Sequence, residues 1–128
     1  MTASEAQIHQ AVLQYLLYQF PRAVIHHSPN EGVRGGAVGI LDGAKRKAMG
    51  MCAGFPDIEV LPDRSFGPMY FEIKAADGRV SPAQRDVLDR LVNLGYHVAV
   101  VRSVDDAKRA VAGFIAANKL ATDRRAIK

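Results

Sequence analysis

Apolar residues along this 128-residue chain change period several times, and each change marks an element. Ile8, Val12, Tyr15, Leu16 and Gln19 fall on one stripe of a 3.6-residue repeat running to about Phe20. Ser4-x-x-Gln7 ahead of that stripe is a capping-box pattern, so a helix starts here. Glu5 heads the same face; its simplest reading is a favourable charge on the first helical turn. Pro21 ends the helix, and positions 23–27 read as a short strand. Asn30, Arg34 and the glycines 32, 35, 36 and 39 then predict a flexible loop, without the Gly-Lys-Ser/Thr of a phosphate-binding Walker loop. A short helix over 41–49 carries Lys45, Arg46 and Lys47.

Two strands follow, over 57–61 and 69–74, joined by a turn rich in Pro, Asp, Ser and Gly. In the second, period-2 alternation sends Met69, Phe71 and Ile73 to one face and Tyr70, Glu72 and Lys74 to the other. Ser81-Pro82 begins the next helix, with Val87, Leu88, Leu91, Val92 and Leu94 as its apolar stripe and Gly95 just past its end. The continuous apolar run 96–101 predicts a central strand. Ser103 caps a last helix with Val104, Ala107, Val111, Phe114 and Ile115 facing inward. This order predicts an α/β fold, a mixed β-sheet flanked by helices on both faces. One domain is expected over 1–118, with 119–128 a basic, frayed tail.

Composition adds two constraints. The chain carries 17 Lys and Arg against 13 Asp and Glu, a net charge of +4 that suits a polyanionic partner. A single cysteine, Cys52, excludes an internal disulfide and a thiolate metal site, and reads as a small buried hydrophobe. No apolar run reaches the roughly 18 residues of a membrane span, and the N-terminus lacks signal-peptide character, so a cytoplasmic location is expected. His9, His26, His27 and His97 have no zinc-ligand spacing and read as structural or surface residues.

The chemistry lies in Gly54-Phe55-Pro56-Asp57 and Phe71-Glu72-Ile73-Lys74. Consecutive strands joined by a turn bring Asp57 and Glu72 together. Two carboxylates suit a hard cation such as Mg²⁺, which keeps several waters. The Ile73 backbone carbonyl completes such a ligand set, and Lys74 is placed to orient a water and offset phosphate charge. Taken singly, a Glu-x-Lys pair is usually a solvated cross-strand ion pair. Arg34, Lys45, Arg46 and Lys47 are the candidate nucleic-acid contacts.

These segments, with Lys47-Ala48-Met49-Gly50 and Ser81-Pro82-x-Gln84, resemble the VRR-NUC family, the virus-type replication-repair branch of the PD-(D/E)XK nucleases. Ser28-Pro29-Asn30-Glu31-Gly32 and Gly95-Tyr96-His97-Val98 are similar to further family segments. The resemblance runs from about Ser4 to Ala107. It implies a restriction-endonuclease-like fold and Mg²⁺- or Mn²⁺-dependent phosphodiester cleavage. Asp57 and Glu72 match the metal-binding acids and Lys74 the catalytic lysine. Glu5 matches the first-helix glutamate that helps hold metal, often through water, and Gln84 a glutamine that supports the site or contacts DNA. Related nucleases often carry a tyrosine four residues after that glutamine; here the position is Leu88. Asn30 takes a DNA-proximal role.

By the same resemblance, stand-alone members suggest a Holliday-junction-resolvase-like homodimer acting on branched DNA in bacterial or phage recombination and repair. The alternatives are a nuclease directed to flaps or nicks, and a DNA-binding subunit that needs a partner for cleavage.

Overall fold

The computed structural model describes residues 2–28, 44–45 and 48–127, with side chains to Lys119. In chain order the elements are α1 (Glu5–Gln19), β1 (Val24–His27), β2 (Ile58–Leu61), β3 (Met69–Ile73), α2 (Pro82–Asn93), β4 (His97–Val101) and α3 (Val104–Ile127). The strands form one sheet in the order β1-β2-β3-β4. The β1–β2 and β2–β3 pairs are antiparallel and β3–β4 is parallel, so the sheet is mixed, as the sequence predicts. The parallel pair requires a crossover, and α2 supplies it.

The principal core lies on one face of the sheet. Ile8, Val12 and Leu16 of α1, together with Ala107 and Val111 of α3, pack on Ile58, Val60, Met69, Phe71, Ile73 and Val101. Those strand residues share a face because direct cross-strand partners point the same way: Ile58 pairs with Phe71, and Val60 with Met69. The opposite face carries Tyr70 and Glu72, and α2 lies over it with Val87 and Leu88 buried. Ser4 caps α1 through the predicted capping box: its Oγ accepts from the Gln7 amide at 3.1 Å and the Gln7 side chain accepts from the Ser4 amide at 2.8 Å.

Several expectations change. β4 sits at the sheet edge rather than its centre. Its run is apolar because α2 and α3 both pack on it, from opposite sides. β3, whose second face carries the charged residues, is buried along its whole length. Val92, Leu94 and Ile115 are exposed. Cys52 is exposed rather than buried. Among the described residues, no helix is long and apolar enough to cross a membrane.

Candidate active site

One end of the sheet gathers the chemistry. Extending the β2–β3 register by one pair sets Asp57 opposite Glu72, at the start of β2 and near the end of β3. Asp57 is fixed from three directions. Its Oδ2 accepts the Ile73 amide at 2.7 Å, and its backbone carbonyl accepts the Ser28 amide at 2.8 Å. His27 Nδ1 lies 3.1 Å from that same carbonyl, and the His27 ring meets His9 edge-on at 4.5 Å between centroids.

Gly54 explains why the Gly-Phe-Pro-Asp run begins with glycine. Its φ is +84°, a region that L side chains rarely adopt, and an added Cβ would stand 2.5 Å from the Ala83 carbonyl oxygen. The segment that delivers Asp57 therefore lies directly on the first turn of α2. Gly54→Ala combines a left-handed backbone with a backbone clash, and about 2–5 kcal/mol is the expected cost. Thermal melting should show a fall of roughly 10 °C or more; an unchanged Tm would contradict this packing.

Glu72 is the centre of the site. It is 1 % exposed. Its Oε1 accepts from Gln84 Nε2 at 3.0 Å and lies 3.7 Å from Lys74 Nζ. Its Oε2 is buried with no hydrogen-bond partner. Desolvation, then the charge and the hydrogen-bonding proximity of the Asp57 carboxyl, push the Glu72 carboxyl from its ordinary 4.5 up to about 8; Lys74 opposes the shift and Glu5 adds to it. A buried carboxylate oxygen without a partner is costly, so the arrangement calls for a positive charge.

Gln84 uses both ends of its amide. Its Oε1 accepts the Ser81 amide at 2.9 Å, closing the capping box that starts α2, while Nε2 reaches Glu72. These two bonds fix the orientation of the amide. The capping geometry is thus also the device that aims Gln84 at the carboxylate. The pattern Ser81-x-x-Gln84 carries this signal in the sequence, although Pro82 and Gly95 alone suffice to predict the helix.

Of the residues named from the sequence, Asp57, Glu72, Lys74 and Gln84 converge. Glu5, exposed on the first turn of α1, comes within electrostatic reach of Glu72. Among the described residues no group of three or more His, Cys, Asp or Glu side chains is placed to hold a metal ion, so Glu5 does not close a three-carboxylate set with Asp57 and Glu72. Ile73 contributes its amide to Asp57, and its carbonyl belongs to the same strand end. Lys45 is exposed, on a helical turn closed by the Met49 amide on its carbonyl at 3.1 Å. Asn30, Arg34, Arg46 and Lys47 lie outside the described residues.

Glu72, with one buried unpartnered oxygen, thus stands beside a second carboxylate and a lysine at one end of a mixed sheet. The VRR-NUC domain profile matches residues 4–105, and the chain belongs to that family, a branch of the PD-(D/E)XK nucleases. Nucleases of this class generally use divalent metal ions. A solved structure described as a VRR_NUC domain protein is similar over 90% of both chains, with a TM-score of 0.66 and 23% identity, and so shares the fold. No curated protein sequence matches the chain.

Proposed function

We propose that this protein is a Mg²⁺- or Mn²⁺-dependent DNA endonuclease that hydrolyses phosphodiester bonds. The observation that carries the proposal is the buried, unpartnered Glu72 Oε2 beside Asp57 and Lys74. Asp57 and Glu72 would hold the cation, with the Ile73 carbonyl as a neutral oxygen and Glu5 acting through water from α1. When bound, a divalent cation supplies positive charge against the phosphoryl oxygens and acidifies water. Lys74 orients the attacking water and offsets charge that develops on the phosphate. Gln84 holds Glu72 Oε1, which leaves Oε2 for the metal. Asp57 keeps its orientation through the Ile73 amide on Oδ2.

The net charge of +4 and the basic residues Arg34, Lys45, Arg46 and Lys47 suit binding to a DNA backbone. Backbone contacts position a duplex without reading its sequence, so selectivity here is for DNA shape. Branched DNA of the Holliday-junction type is the proposed substrate. Paired symmetric nicks need two sites related by a two-fold axis, hence a homodimer.

Purified protein incubated with matched four-way, flap, nicked and linear duplexes tests this. Symmetric nicks in the four-way junction that require Mg²⁺ or Mn²⁺ and vanish in EDTA are expected. Cleavage confined to flaps or nicks would remove the resolvase assignment. Tight binding without cleavage on any substrate would indicate a subunit that needs a partner.

A further inference from the structure

We infer that Arg102 is a positioning residue of this site, a clamp on the turn that sets Lys74 and Gln84 against Glu72. The inference rests on the nuclease reading for its consequence, and on the geometry for the clamp itself.

Arg102 directly follows β4, whose last residue, Val101, accepts the Lys74 amide at 3.0 Å. From there its guanidinium reaches back across the parallel pair. Nη1 donates to the Ala75 carbonyl at 2.6 Å, to the Gly78 carbonyl at 2.7 Å and, more weakly, to the Ala76 carbonyl at 3.4 Å. These three carbonyls belong to one tight turn, closed by the Gly78 amide on Ala75 at 3.0 Å. Carbonyl dipoles aimed at a common point repel each other, and a cation at that point offsets the repulsion. The bonds are charge-assisted and therefore strong. Among the described residues no carboxylate forms an ion pair with Arg102, so its charge is committed to the turn.

The clamp is itself anchored. The Arg102 amide donates to Asp106 Oδ2 at 2.9 Å, and the Asp106 amide donates to Ser103 Oγ at 3.0 Å. Asp106 Oδ1 also accepts from Arg109 Nη2. The side chain thus starts from a capped helix start rather than from a loose loop.

What the turn joins gives the clamp its role. Lys74 immediately precedes it, and Ser81, the cap of α2, follows Gly78 after two residues. Lys74 and Gln84 both address Glu72 Oε1, from opposite sides of this turn. Fixing the turn fixes their separation, and with it the rotamer of Glu72. Residues that orient metal ligands typically contribute about 10- to 100-fold to activity.

The test compares wild type with Arg102→Ala and Arg102→Lys in cleavage kinetics and in amide hydrogen exchange. Arg102→Ala should lower kcat by about 10- to 100-fold with KM within about 3-fold. Arg102→Lys, whose ammonium keeps three donors, should recover much of that loss. Exchange at the Gly78 and Gln84 amides should quicken in Arg102→Ala, with the core amides of α1 and α3 unchanged. If Arg102→Ala does not fold, Arg102→Gln is read for the same local exchange.

Wild-type kcat in Arg102→Ala would overturn the inference. So would a rise in KM with a shallower salt dependence, which marks a phosphate contact. Should wild type cleave no DNA, the nuclease reading fails, and exchange at Gly78 still decides whether the clamp exists. Unchanged exchange there would overturn it.

Discussion

Glu72→Gln is expected to abolish cleavage and, in metal-free protein at alkaline pH, to raise the melting temperature. The two effects share one cause. The native carboxyl holds its proton up to about 8, whereas the unfolded chain releases it near 4.5. Stability from protonated Glu72 is therefore complete below the unfolded value and is lost as pH rises through about 8. Gln is close in shape and carries no charge, so the variant escapes that loss. Removing an unpaired buried charge should stabilise the protein by about 1–3 kcal/mol, several degrees in Tm. With Glu72 as the proposed metal ligand, its loss forfeits several kcal/mol of transition-state stabilisation, about 1000-fold or more in kcat. Tm measured in EDTA from about pH 5 to 9 should fall for wild type and stay nearly flat for Glu72→Gln. A variant that melts below wild type at the alkaline end would contradict the reading of Glu72 as an uncompensated acid.

Lys74→Met is the second large effect. The ammonium lies 3.7 Å from Glu72 Oε1 and is mostly buried, so it has a fixed place rather than a solvated one. In the proposed reaction its removal takes away the charge that orients water and offsets the phosphate, about 100- to 1000-fold in kcat. It also removes the one influence that lowers the Glu72 pKa, so the residual activity should peak at higher pH. Both follow from a pH–rate profile of the variant beside wild type. Full activity, or a profile that does not move, would show that Lys74 acts neither on the reaction nor on Glu72.

The element order and the convergence of Asp57, Glu72 and Lys74 were legible because each rests on local pattern. Alternation in 69–74 places Glu72 and Lys74 on one face whatever covers that face. What covers it was not legible: the helix that buries Glu72 comes later in the chain, and burial is a property of the packed layers. The same distinction explains β4, whose apolar run records cover on both sides and says nothing of its place in the sheet. Cys52 shows the limit of composition, since a small apolar side chain is compatible with either environment. Arg102 carries no local signal at all, because its carbonyl partners lie 24 to 27 positions away. Gln84 falls between: the capping box is written in the sequence, and its contact with Glu72 is not.

Glu72 and Asp57 are proposed to form one divalent-cation site together, and calorimetric titration of Mn²⁺ near pH 7 measures binding to it. A carboxyl that titrates near 8 is protonated there, so metal binding should release about one proton per ion. The proton count comes from repeating the titration in buffers of different ionisation enthalpy. Saturable binding to wild type with that release is expected, and neither binding nor release in Glu72→Gln or Asp57→Asn. Binding that persists unchanged in Glu72→Gln, or no binding to wild type at millimolar metal, would contradict it.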